Sequence, residues 1–176
     1  DFSKIEAGKM GFRMEETDVA ALARDVAARF LRQTAQQSVS LETAIDERMP
    51  DVSADTEALS RSLFNLLDNA AKYSGEKPRI FLRARAEADE VCLEVEDEGT
   101  GISPADQKRV FEKFFRSEAA AASPVRGSGI GLTLVDHIVK AHGGRITLES
   151  ETGRGTKVTI RLPALPRRES REGGDG

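Results

Sequence analysis

The sequence has no tryptophan, one tyrosine (Tyr73), one cysteine (Cys92) and two histidines (His137 and His142). A single cysteine excludes an internal disulfide and cannot alone build a metal site. Two histidines are too few for an ordinary zinc constellation, and no HExxH is present. No apolar run is long enough to cross a bilayer, and no signal peptide is visible. Lys and Arg number 26 against 30 Asp and Glu, a formal net charge of -4. A broad basic surface, and with it a nucleic-acid partner, is not expected. The first residue is Asp1 rather than Met, so the chain reads as a piece of a longer parent.

What is present fits a globular domain. The 176 residues are 39% hydrophobic and 32% charged, enough for one core with short extensions. Residues Asp1 to Glu16 are polar and broken by Gly8 and Gly11, and read as the end of one element and a linker. Asp18 offers an N-cap for a helix from Val19 to about Gln37. Val39 to Ile45 alternates as a strand, Pro50 and Asp51 mark a turn, and Asp55 caps a second helix ending near Tyr73 to Gly75. Arg79 to Ala86 and Val91 to Asp97 predict two antiparallel strands. Pro104 to Val110 predicts a short helix, Phe111 to Phe115 an aromatic knot, and the alanine-rich Ser117 to Val125 a mobile loop. A third helix runs from Gly127–Gly131 to His142, with Gly143 as its cap. Arg145 to Ser150 and Thr156 to Leu162 form a closing hairpin. Pro163 to Gly176 is rich in Pro, Gly and charge, and is expected to be disordered. The sum predicts an α/β (α+β) two-layer sandwich: a mixed, mainly antiparallel sheet with helices on one face. The expected division is 1–17 for the incoming element and linker, 18–162 for the domain and 163–176 for the tail.

Three segments carry chemistry. The first is Leu63 to Tyr73. At about 100° per residue, Asn65, Asn69 and Lys72 fall on one helix face, and Leu59, Leu63, Leu66, Leu67 and Ala70 cluster on the opposite side. Asparagine is a poor helix former, so two of them beside a lysine lower helix propensity without a structural return. Amide oxygens are neutral hard donors suited to Mg²⁺, and a lysine meets phosphate as a point charge. A solvated amphipathic face is the plain alternative.

The second is Asp97. It shares strand parity with Val91, Leu93 and Val95, so it points to the apolar side at the end of its strand. A carboxylate there needs a partner. Gly99 and Gly101, followed by Ile102, let the backbone approach a ligand. At the back of an apolar pocket Asp97 suits the exocyclic amine of adenine and not the carbonyl of guanine. An Asx-type turn is the structural alternative. The third is Arg126-Gly127-Ser128-Gly129-Ile130-Gly131-Leu132, which leads into a helix. Backbone N–H groups at a glycine-rich helix start suit a polyphosphate. The run is neither a Walker A loop nor the dinucleotide fingerprint, and a flexible hinge is its alternative reading.

In this order and on these elements, the three segments resemble the catalytic ATP-binding domain of bacterial sensor histidine kinases. That is the Bergerat-type fold shared more distantly with Hsp90 and DNA gyrase. Asn65 to Tyr73 is similar to the N box, Asp97 to Gly101 to the G1 box, Phe111 to Arg116 to the F box, and Gly127 to Gly131 to the G2 box. Gly153 to Thr156 matches the last glycine motif. The resemblance covers about Asp18 to Leu162.

The resemblance implies ATP and Mg as ligands, with Asn69 on the metal and Asn65, Lys72 and Tyr73 around the phosphates. It puts Asp97 on the adenine amine, Ile102 and Leu132 along the base, and Thr156 near Asp97. Gly127, Ser128, Gly129, Ile130 and Gly131 would form the phosphate side, with Lys72, Arg116 and Arg126 as phosphate-positioning cations. No general base is assigned. Asp1 to Lys9 resembles the end of a dimerisation and histidine phosphotransfer hairpin, whose acceptor histidine lies earlier. Neither His137 nor His142 replaces it, and the helix C-terminus before Gly143 suits a cationic His142 in a structural role. The implied partners are that hairpin and a response regulator receiver domain, in a homodimeric parent, with this fragment a monomer. The implied location is a cytoplasmic domain, in a parent that fits an inner-membrane sensor. A Bergerat-type ATPase, an anti-sigma serine kinase and a non-catalytic nucleotide-binding scaffold stay open as alternatives. An ATPase of this fold places an acidic base where this chain has Asn65, and the hairpin remnant argues against the anti-sigma kinase.

Overall fold

The computed structural model describes residues 11–113, 115–116 and 131–167. In chain order the elements are β1 (Glu15–Thr17), α1 (Val19–Gln33), β2 (Ser40–Ile45), β3 (Val52–Ala54), α2 (Thr56–Lys72), β4 (Arg79–Glu87), β5 (Glu90–Asp97), α3 (Pro104–Gln107), α4 (Gly131–Ala141), β6 (Arg145–Glu151) and β7 (Gly155–Pro163). Five strands form one sheet in the order β2-β4-β5-β7-β6. Only β2 runs parallel to its neighbour β4, and the other pairs are antiparallel. The mixed, mainly antiparallel sheet of the sequence reading is therefore present. The helices α1, α2 and α4 cover one face of it, with α2 packed against both others.

Local chemistry sets these elements. The Asp18 carboxylate accepts from the Ala21 N–H and caps α1, and Asp55 accepts from Ala58 and caps α2. Along α2 the apolar stripe is fully shielded: Leu59, Leu63, Leu66 and Leu67 are buried against Ile80, Leu82, Leu93 and Ile160 of the sheet. Each such leucine contributes about 1.5–3 kcal/mol of burial. That anchored stripe turns the opposite, polar face of α2 outward. On the other side of the sheet, Arg83 pairs with Glu94 at 2.7 Å and Glu96 at 2.6 Å. Burial pushes the Glu94 carboxyl up, but Arg83 and Arg85 outweigh it and hold it below its ordinary range.

Several boundaries differ from expectation. α1 ends at Gln33 rather than near Gln37, because the Thr34 N–H and hydroxyl both return to the Phe30 carbonyl. The expected helix to Val110 is only the four residues Pro104–Gln107. β1 and β3, unforeseen, pair as a two-stranded ribbon where a linker and a turn were expected. The expected tail begins in order: β7 runs to Pro163, Ala164 N–H donates to Asp89, and Leu165 N–H donates to Asp51. The Ser117 to Val125 loop and residues 168–176 lie outside the described residues, as do residues 1–10. Among the described residues no helix is long and apolar enough to cross a membrane.

His142 is buried, and it does not take the cationic form that its place at a helix end suggested. Its Nε2 lies 2.9 Å from the Asp55 N–H and accepts from it. The ring proton therefore sits on Nδ1, which donates to the Ile138 carbonyl at 2.6 Å. The edge of Phe12 packs against the same ring at 5.1 Å between centroids. His142 thus ties the end of α4 to the start of α2.

Candidate nucleotide-binding site

Between α2, α4 and the sheet lies a cleft of about 390 Å³. From α2 it is lined by Asn65, Asn69 and Lys72, with Tyr73 at the helix end. The sheet contributes Val95, Asp97, Leu148, Thr156 and Val158. The loop after β5 adds Gly101 and Ile102, and Gly131 and Leu132 enter from α4. Arg116 lines it as well. The amide and carboxylate groups singled out from distant stretches of sequence therefore meet in one cavity. Arg126, Gly127, Ser128, Gly129 and Ile130 lie outside the described residues, as does Phe114.

Each end of the cleft has its own character. At one end, a methyl group placed on Gly131 would stand 3.5 Å from Asn69 Nδ2 and 3.8 Å from its Oδ1, so the Asn69 amide abuts the described start of α4. Lys72 is held by Asp68 one turn back at 2.8 Å. At the other end sits Asp97. Its Oδ1 accepts the Gly99 N–H at 2.8 Å, and the nearby Ser74 side chain and Thr156 N–H also favour its charged form. Burial outweighs these donors and raises the carboxyl to about 6. Val95, Ile102, Leu132, Leu148 and Val158 give that end apolar walls. A half-buried carboxylate between flat apolar walls, with amides and cations opposite, suits a ligand with an aromatic amine at one end and anionic oxygens at the other.

The loop after β5 is fastened from behind. Gly101 adopts φ +68°, and a Cβ there would come within 2.1 Å of the Glu151 carbonyl. Gly99 does not line the cleft. A Cβ on it would meet the Tyr73 carbonyl at 2.5 Å, so this glycine serves the seating of Asp97 and not direct ligand approach. The sequence reading missed the walls Val95, Val110, Leu148 and Val158. Strand parity with Asp97 was a usable signal for Val95, whereas Leu148 and Val158 enter only through the pairing of β5, β6 and β7.

Residues 54–166 match the family model described as histidine kinase-, DNA gyrase B-, and HSP90-like ATPase. The alginate biosynthesis sensor protein KinB of Pseudomonas aeruginosa is 32% identical over 163 residues, covering 93% of this chain and 27% of that protein. The chain thus spans roughly a quarter of this curated relative's length. Among solved structures, full-length ShkA in complex with AMPPNP is similar with a TM-score of 0.81 at 25% identity, covering 96% of this chain and 35% of that one. The mycobacterial sensor histidine kinase MprB is similar with a TM-score of 0.74 at 30% identity, covering 87% of this chain and 100% of that one. The family match over residues 54–166, together with relatives of 30% identity or more over most of this chain, shows that the chain belongs to the histidine kinase-, DNA gyrase B-, and HSP90-like ATPase family, among relatives that are sensor histidine kinases.

Proposed function

We propose that the cleft binds ATP with a magnesium ion and presents the γ-phosphate to a histidine on a dimerisation hairpin, as the catalytic step of two-component signalling. The observation that carries this reading is the meeting of Asn65, Asn69, Lys72, Asp97 and Thr156 in a single cavity. Asp97 accepts the adenine amine, and Ile102 and Leu132 flank the base. Lys72, keeping Asp68 as its neighbour, and Arg116 supply positive charge at the phosphate end.

The residues fit a magnesium ion. Among the described residues no group of three or more His, Cys, Asp or Glu could hold a metal. An ion in this cleft would therefore depend on the Asn69 amide oxygen, phosphate oxygens and water, the few-ligand habit of Mg²⁺. When bound, it neutralises charge on the phosphates. Phosphoryl transfer is otherwise a matter of positioning, and this chain's residues orient the nucleotide and exclude water from its base.

Hydrolysis is the weaker reading. Asn65 is an amide and cannot take a proton from water. Of the described carboxylates in the cleft, Asp68 is engaged by Lys72 and Asp97 sits at the far, base-binding end. The proposed partners are the hairpin and a response regulator receiver domain, and the proposed parent is a homodimer. The test uses γ-labelled ATP. The chain alone should label poorly, and adding the separate hairpin with its histidine should transfer label to that hairpin. Label appearing on His137 or His142, or none on the hairpin, would overturn the assignment.

A further inference from the structure

Ser150, on β6, makes three polar contacts just behind the base end of the cleft. Its Oγ lies 2.8 Å from the Ile102 N–H, 2.8 Å from the Gly155 carbonyl and 2.8 Å from the Thr156 hydroxyl. A serine hydroxyl has one proton and two lone pairs. The Ile102 N–H can only donate, so it takes one lone pair. The Gly155 carbonyl can only accept, so it takes the proton. The remaining lone pair must then receive the Thr156 proton. Thr156 lines the cleft, and with its proton spent on Ser150 its hydroxyl offers the cavity lone pairs alone. It stands directly opposite Asp97 across the β5–β7 pair.

Gln107 strengthens the arrangement. Its Nε2 donates to the Ile102 carbonyl at 2.7 Å and the Ser150 carbonyl at 2.9 Å, so both backbone groups of Ile102 are held against β6. The base end of the cleft therefore has a fixed polarity, with an acceptor on Asp97 and an acceptor on Thr156.

We propose that Ser150 is a positioning residue for nucleobase choice: it holds the Thr156 hydroxyl as an acceptor and so disfavours a base that presents a carbonyl there. This rests on the reading that the cleft takes ATP. Adenine carries an amine at C6 and a bare nitrogen at N1, where hypoxanthine carries a carbonyl and an N–H. A Thr156 hydroxyl facing N1 would act in the opposite sense, so a preference for ATP that rises in Ser150→Ala would also overturn the proposal. Without Ser150 the Thr156 hydroxyl is free to turn its proton into the cleft and accommodate the carbonyl.

The experiment is titration calorimetry of the whole chain with Mg-ATP and Mg-inosine triphosphate. It compares the wild type with Ser150→Ala, Ser150→Thr, Thr156→Val and the Ser150→Ala/Thr156→Val pair. The wild type should prefer ATP. Ser150→Ala should reduce that preference about five- to tenfold, the scale of one hydrogen bond. Ser150→Thr, which keeps the hydroxyl, should retain it. In the Thr156→Val background Ser150→Ala should leave the preference unchanged. If Ser150→Ala fails to fold, Ser150→Cys, near-isosteric with a weakly accepting thiol, should show the same loss of preference. Equal weakening of both nucleotides, or a loss that persists without the Thr156 hydroxyl, would overturn the proposal. A wild type that binds neither nucleotide would overturn the cleft's assignment itself, and the proposal with it.

Discussion

Asp97→Asn should make the free protein more stable at neutral pH while weakening nucleotide binding. In the unfolded chain the carboxyl titrates near 3.8, and in the folded protein burial raises it to about 6. Each pKa unit corresponds to 1.36 kcal/mol, so holding Asp97 ionised in the fold costs about 3 kcal/mol at neutral pH. The sign follows from the raised value. Stability from this group is fully present below pH 3.8 and is lost as pH rises through 6. An asparagine keeps an oxygen for the Gly99 N–H but brings an amide NH₂ in place of the second carboxylate oxygen, and a donor left unpaired there costs roughly 1–2 kcal/mol. The net expectation is a gain of about 1–2 kcal/mol at pH 7.5 that shrinks away, or reverses, towards pH 4. ATP affinity should fall by about 1.5–3 kcal/mol, the value of a hydrogen bond to a charged group. Urea unfolding at pH 4, 5, 6 and 7.5 reads the first effect, and calorimetry with Mg-ATP reads the second. A variant less stable than the wild type at pH 7.5, with a difference that does not change with pH, would show that burial does not govern this carboxylate. Unchanged ATP affinity would remove Asp97 from the site.

Asn69→Ala should abolish the magnesium-dependent part of ATP binding, so that titrations with Mg²⁺ and with EDTA coincide; a variant with normal metal dependence would refute the role proposed for Asn69. His142→Ala strips the acceptor from the Asp55 N–H and should cost about 2–3 kcal/mol in urea unfolding. A loss below 0.5 kcal/mol would contradict the tie between α4 and α2. Gly101→Ala combines a left-handed backbone with a Cβ driven into the Glu151 carbonyl, and should lower stability by about 3 kcal/mol with a matching drop in Tm.

The sequence reading succeeded where a physical signal is local. The apolar stripe of α2 has helical period, and it alone places Asn65, Asn69 and Lys72 on the opposite face. The parity of β5 turns Asp97 inward with Val95. Both features survive in the fold because burial of Leu63, Leu67 and Leu93 enforces them. What sequence did not reveal is pairing between distant strands. β1 and β3 are three residues each, too short for alternation to show, and they exist because they pair with one another. Leu148, Val158 and Ser150 reach the site only through the register of β6 on β7. The neutral form of His142 depends on the Asp55 N–H, a neighbour 87 positions away in sequence.

Where the nucleotide sits is tested directly by backbone amide NMR titration with Mg²⁺ and a non-hydrolysable ATP analogue. The expected result is a saturable response concentrated at Asn65, Asn69, Tyr73, Asp97, Ile102, Leu132 and Thr156, with the outer sheet residues around Arg83 and Glu94 unmoved. Shifts scattered over that outer face, or a silent cleft at saturating analogue, would contradict it.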